Sequence, residues 1–128
     1  MNHITIGKTF AVSILILGMI HIAATFTPLI QAGLECLDAG SWKAMIYMSL
    51  VCGFFFVKFG LIILLMLRKK EALSGYTPIF MPIGTGVFLV GALGLFYMPE
   101  NPFAWLSFLL VTGVLGSLWN IKKKISSP

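Results

Sequence analysis

Two ionisable residues interrupt long apolar stretches of the chain: His21 in ILILGMIHIAATFTPL and Lys58 in VCGFFFVKFGLIILL. A charged side chain near the centre of a bilayer costs at least about 2.5–3.5 kcal/mol, so an ionisable residue inside a membrane span is a candidate for function. At 1.5 Å of rise per helical residue, the depths of His21 and Lys58 differ by roughly 8 Å. The two residues are therefore predicted to share a polar pocket that binds a small polar, anionic or lipid-like ligand or relays a proton.

The predicted pocket lies between the first and second apolar stretches and includes Thr25, Cys52 and Tyr47. Both central residues also have a structural alternative. His21 can form a hydrogen bond to a neighbouring helix as part of the packing, and Lys58 can extend along the lipid to the headgroups. Because the apolar stretches contain no Asp or Glu, the sequence offers Lys58 no ion-pair partner at its depth.

The remaining reactive residue types form no catalytic or metal-binding motif. Cys36 and Cys52 are not in a C-x-x-C arrangement, so the sequence lacks that redox-active pair. Gly84-Thr85-Gly86 lacks the lysine of a phosphate-binding loop. The only other histidine, His3, lies outside the apolar stretches, which disfavours a haem. We therefore predict no catalytic residue, no metal site and no cofactor, and the sequence weighs against an enzyme.

The composition identifies the elements that must position these residues. The chain has 128 residues, of which 59% are hydrophobic and 10% charged, with a mean hydropathy of +0.99. A soluble domain is about 45–50% apolar and about 25% charged, so soluble and disordered classes are excluded. Four stretches reach the roughly 20 residues that a spanning helix needs, over 6–30, 44–67, 79–98 and 103–121. The sequence predicts an all-α membrane protein with four antiparallel transmembrane helices in a single bundle.

The basic residues predict how this bundle is oriented. Of nine basic residues, seven flank the predicted helix ends on one side, which leaves Lys43 on the other side and Lys58 inside a span. The positive-inside rule then places both termini in the cytoplasm. Without a basic-aromatic module for nucleic acid, we expect contacts with lipid headgroups from Arg68, Lys69, Lys70, Lys122, Lys123 and Lys124.

The loop over 31–43, between the first two spans, has a pattern of its own. Leu34 and Leu37 alternate with Glu35 and Asp38, and Trp42 follows. This alternation is compatible with a short amphipathic helix at the membrane surface, but the favoured interpretation is a solvated loop.

Small residues recur in all four predicted spans at the spacing of helix contacts. Residues of this size let two helix backbones approach closely in a membrane. Because there are more of them than one small bundle must use, we expect a homo-oligomer, most simply a dimer. The residues are Gly7, Ala11, Gly53, Gly60, Gly84, Gly91, Gly94, Gly113 and Ser117.

Three features of the chain resemble those of a known protein family. They are the four spans in so short a chain, Gly18-x-x-His21 in the first span, and Met98-Pro99 followed by the aromatic stretch at 103–105. The chain resembles a family of small four-helix bacterial inner-membrane proteins of unknown function and is more loosely similar to the DoxX-like group. The resemblance implies a multi-pass protein of the bacterial inner membrane and no particular activity. The chain also has the size of small multidrug transporters, but it lacks their first-helix glutamate.

Three function classes are compatible with the sequence. The favoured one is a binding or accessory protein that acts through helix packing and oligomerisation. The second is a small-molecule or proton-coupled transporter that uses His21 and Lys58. The third, an integral enzyme on a lipid or quinone, is the weakest, because the sequence contains no nucleophile and base pair. The position of Lys58 discriminates between them: a lysine that faces lipid is structural, and one that faces a cavity is functional.

Overall fold

A computed structural model describes residues 3–68 and 73–126 of the chain. These residues form five helices and no strand: α1 (His3–Thr25), α2 (Pro28–Leu34), α3 (Ala39–Arg68), α4 (Leu73–Tyr97) and α5 (Pro102–Ser126). The four long helices, α1, α3, α4 and α5, are long and apolar enough to cross a membrane. The prediction of an all-α, multi-pass membrane protein is therefore confirmed.

The first predicted span, 6–30, is wrong at its end, because the helix breaks after Thr25 and a separate helix starts at Pro28. A proline restricts the residue before it to extended backbone, and Thr27 has φ −76° and ψ 149°. Since proline fits the first position of a helix, the same residue that ends α1 starts α2. After α2, residues 35–38 lie outside any helix and are exposed, so this segment is the loop that the sequence favours and not an interfacial helix.

Asp38 determines where α3 begins. One of its carboxylate oxygens accepts hydrogen bonds from the backbone N–H groups of Gly40 (2.8 Å) and Ser41 (3.1 Å), and the other accepts one from the Ser41 hydroxyl. These bonds, with that of the hydroxyl foremost, lower the pKa of the Asp38 carboxyl. A carboxylate in this position satisfies N–H groups that the helix itself leaves unbonded. This cap lets α3 start five residues before the predicted span, at Ala39.

The four long helices pack as an antiparallel bundle. Helix α1 packs along α3 on one side and along α5 on the other, α4 packs mainly on α5, and α3 and α4 share a much smaller contact. Gly7 near the start of α1 lies against Leu67 and Ile121, near the ends of α3 and α5. We call the end of the bundle with residues 3, 68 and 126 the terminus end, and the opposite end, which carries α2, the α2 end.

The buried side chains lie mostly in the middle of the bundle and toward the terminus end. Towards the α2 end, residues 39–45 of α3 are all exposed. The outward faces of the long helices carry large apolar side chains, as expected where a bilayer takes the place of water. The largest fully buried apolar side chains are Ile14, Ile63, Leu67, Phe80, Val87, Val111, Val114 and Leu118.

Small residues bring α1 and α3 unusually close. A Cβ atom added to Gly18 would lie 2.7 Å from the carbonyl oxygen of Gly53, and one added to Gly60 would lie 2.8 Å from that of Ala11. Ala11 and Gly18 are seven residues apart, as are Gly53 and Gly60. A repeat of seven keeps one stripe facing a partner helix in a left-handed crossing. We call the contact of these two stripes the α1–α3 seam.

Candidate functional site

A polar cluster occupies the α1–α3 seam at the α2 end. The hydroxyl of Ser49 in α3 lies 2.7 Å from that of Thr25 and 3.2 Å from Nε2 of His21, both in α1. The Thr25 hydroxyl also donates to the carbonyl oxygen of His21 (2.9 Å). The three side chains therefore form one connected network across the seam, which we call the His21 cluster.

The stripe of small residues explains why these polar groups meet. Gly18 and Thr25 are seven residues apart, and His21 lies one turn before Thr25, so this face of α1 continues from the seam into the cluster. Ser49 lies one turn before Gly53 on α3. Because Gly18 and Gly53 let the backbones touch, short hydroxyl side chains one turn further along are long enough to bridge the helices.

Two further elements hold the His21 cluster in place. Gln31 of α2 donates a hydrogen bond to the carbonyl oxygen of Thr25 (2.7 Å), which the end of α1 leaves without a helical partner. Phe103 of α5 stacks on the imidazole of His21, with ring centroids 5.2 Å apart and planes inclined by 28°. The side chain of Asn101 caps the start of α5 by accepting from the N–H of Phe103 (2.9 Å), which fixes where that ring lies.

Burial within the His21 cluster is uneven. Thr25 is almost fully buried, with 2% of its surface exposed, whereas Ser49, Gln31 and His21 are half-buried. Among the residues that the structure describes, His21 forms its side-chain hydrogen bond through Nε2 and none through Nδ1. One face of the ring is covered and one nitrogen is bonded, so the second nitrogen is the group with which the cluster can bind another molecule.

The structure does not bring Lys58 to His21. Lys58 is exposed, and it lies two residues from both Phe56 and Gly60, which are buried. Two residues correspond to about 200° around a helix, so Lys58 is on the side of α3 opposite the seam. On the register of the seam, in which Gly60 lies between Ala11 and Leu15, Lys58 is level with Leu15, six residues and about 9 Å from the level of His21.

Of the other predicted pocket residues, one lies in the His21 cluster and two lie outside it. Thr25 belongs to the His21 cluster through its contact with Ser49. Cys52 is half-buried and packs against the apolar core. Tyr47 is 66% exposed, on the outward side of α3. Cys36 and Cys52 are both free thiols.

Three members of the site are absent from the sequence-based prediction: Gln31, Ser49 and Phe103. Gln31 falls in the predicted loop, because apolar length alone does not register the break at Pro28. A signal for Ser49 is present, since it lies one turn before a seam glycine and so on the same face of its helix. The sequence contains no such signal for Phe103, because the contact of Phe103 with His21 depends on how α1 and α5 pack together.

The basic residues that are predicted to contact lipid headgroups lie at or near the ends of helices. Arg68 ends α3, and Lys122, Lys123 and Lys124 lie in the last turns of α5, all at the terminus end. Lys69 and Lys70 lie outside the described residues.

Over residues 3–68 and 73–126, no group of three or more His, Cys, Asp or Glu side chains could hold a metal ion. A comparison of the chain with protein-family models, with curated proteins and with solved structures finds no match.

Proposed function

We propose that the protein is a membrane-embedded binding protein, and that its ligand binds at the His21 cluster. The observation that carries this proposal is the half-buried imidazole of His21, held by Ser49 on one nitrogen and by Phe103 on one face. Such a ring is fixed in orientation and still has one nitrogen to offer. A binding site needs both properties: fixed geometry and an unused polar group.

The depth of the cluster favours an amphipathic ligand. His21 lies four residues, or about 6 Å, before the end of α1 at Thr25. Taking the end of α1 as the edge of the hydrocarbon, His21 lies about one helical turn inside it, within reach of the headgroup region. The polar part of a ligand can reach His21 from there while its apolar part stays among the outward apolar side chains of the bundle.

The geometry favours binding over the alternative of a proton-coupled transporter. The hydrogen bonds of the cluster end on α1, because Thr25 donates to the backbone carbonyl oxygen of His21, which cannot pass a proton on. Lys58, the second residue of the predicted relay, faces the opposite side of α3. A relay between them would have to pass around the helix.

We also propose that the protein forms a homo-oligomer, although fewer small residues support this than the sequence suggested. Most of the small residues that suggested it are used inside the chain: Gly84 and Gly91 face α5, and Gly113 faces Phe10. Gly94, in contrast, has open space where a Cβ would stand. We propose Gly94 as the contact between copies, and its replacement by leucine should then reduce the dimer fraction in nanodiscs.

Location and orientation are proposed on the grounds given by charge and resemblance. The cations at the terminus end support a cytoplasmic position for both termini, and the DoxX-like resemblance supports the bacterial inner membrane. Reporter fusions at Pro128 and within the loop between α2 and α3 test the orientation. A C-terminus found outside the cytoplasm would reverse it.

The binding proposal is tested by what the protein retains on purification. We expect native mass spectrometry of the protein, released from membranes in mild detergent, to show an amphipathic adduct that His21→Leu loses. His3→Leu is the matched control, because His3 is exposed at the other end of α1 and should keep the adduct. Equal spectra for both variants, each still folded by circular dichroism, would reject binding at the cluster.

A further inference from the structure

The three polar contacts of the His21 cluster share only two hydroxyl hydrogens, so forming all three as hydrogen bonds requires one particular direction for each. The Thr25 hydroxyl has one hydrogen, and it points to the carbonyl oxygen of His21 (2.9 Å), because a carbonyl can only accept. The 2.7 Å contact between Thr25 and Ser49 therefore uses the hydrogen of Ser49. Thr25 is the acceptor in that bond.

The direction of these hydrogen bonds also determines which nitrogen of the imidazole carries the proton. The single hydrogen of Ser49 is already used towards Thr25, so its oxygen accepts in the 3.2 Å contact with Nε2 of His21. Nε2 must then carry a proton. In a neutral imidazole the other nitrogen is an acceptor with no hydrogen. A charged side chain within a membrane span is costly, which favours the neutral ring.

We infer that the His21 cluster recognises its ligand through an O–H or N–H group that donates a hydrogen bond to Nδ1. This inference rests on the proposed function and narrows it to one ligand class: amphipathic molecules with a donor, such as phenols and alcohols. An ether or ketone has no hydrogen to offer. An anion would need a doubly protonated ring, against the cost of charge at this depth.

The first test measures which nitrogen of the His21 ring carries the proton. The protein is labelled with ¹⁵N-histidine in a His3→Gln background, so that His21 gives the only signals, and is placed in nanodiscs of phosphatidylcholine and phosphatidylglycerol. We expect a protonated Nε2 and a bare Nδ1 at neutral pH. Ser49→Ala should weaken this preference, whereas Ser117→Ala should not, because that buried hydroxyl donates within α5 to Gly113. A proton on Nδ1 in the unmodified network would overturn the inference.

The second test compares three probes of similar size: 4-butylphenol, 4-butylanisole and 4-butylbenzenesulfonate. Only the phenol has a donor, and only the sulfonate is an anion. We expect the phenol to shift the Nδ1 resonance and to bind roughly 2- to 12-fold more tightly than the anisole, the range for one neutral hydrogen bond. In His21→Leu the phenol and the anisole should bind equally.

The outcomes separate this inference from the proposed function. If the anisole or the sulfonate binds at least as tightly as the phenol, and does so only when His21 is present, the donor requirement is wrong and the binding site remains. If none of the three probes shifts a His21 resonance, binding at the cluster is itself rejected, and the inference with it.

Discussion

Replacing Gly18 by alanine tests the α1–α3 seam at its closest backbone contact. The added Cβ would lie 2.7 Å from the carbonyl oxygen of Gly53 and 2.8 Å from the backbone nitrogen of Val57. Both atoms belong to the backbone of α3, so no side-chain rotation can relieve the contact. The two helices must move apart.

The size of the effect follows from two opposing contributions. Forcing extra volume into a well-packed contact costs about 1–3 kcal/mol, and the backbone position of the clash favours the upper half of this range. Alanine is the better helix former by about 1 kcal/mol, which offsets part of the cost. We expect Gly18→Ala to lower the free energy of unfolding by roughly 1–2 kcal/mol.

A matched substitution isolates the contribution of the seam. Gly116 is also within a long helix, but a Cβ there would meet nothing within 4 Å. Gly116→Ala should therefore be neutral or stabilising by up to about 1 kcal/mol, because only the helix propensity changes. Unfolding of both variants in mixed micelles, followed by circular dichroism as the fraction of denaturing detergent rises, gives the comparison. Equal stabilities for the two variants would refute the close contact of α1 and α3.

Three further predictions concern residues outside the seam. Because the pKa of Asp38 is lowered in the folded protein, its contribution to stability should be present above the ordinary carboxyl pKa and lost as the pH falls through the lowered value. Asp38→Ala should flatten this acid limb of the melting temperature against pH, and an unchanged limb would contradict the cap. Lys58→Met should leave ligand binding intact and stabilise the inserted protein by up to about 3 kcal/mol, because it removes a charge from an outward face; lost binding, measured by the adduct assay, would contradict this. In nanodiscs, a membrane-impermeant maleimide should label Cys36, which is exposed, much faster than Cys52, which packs against the core; equal rates, with each cysteine tested alone, would argue against this placement.

The sequence predicts the number and type of the long helices because the hydrocarbon core of a bilayer imposes a length and a composition on each span. It does not predict their ends. The start of α3 depends on the side-chain cap of Asp38, and the end of α1 on the proline at position 28. Local hydrogen bonds and backbone restriction decide such boundaries, and an average over apolar residues does not register them.

The prediction for Lys58 fails for a related reason. Hydropathy gives the depth of a residue along a span, but a helix that is apolar on all sides has no polar face to show which side turns inward. The glycines supply that missing information. Gly53 and Gly60 mark the face of α3 that meets α1, and Lys58 lies about 200° from Gly60.

The seam and the His21 cluster are two parts of one feature, because the small residues that allow the contact also decide which polar groups can meet. Ala11, Gly18 and Thr25 follow one another at intervals of seven along α1, and only the last carries a hydroxyl. A larger residue at Gly18 would separate the backbones by more than a serine hydroxyl can bridge. The 3.2 Å hydrogen bond between Ser49 and His21 would then break, and the ring would lose the contact that determines which of its nitrogens carries the proton. Ligand recognition at His21 is therefore expected to depend on a glycine that contacts no ligand.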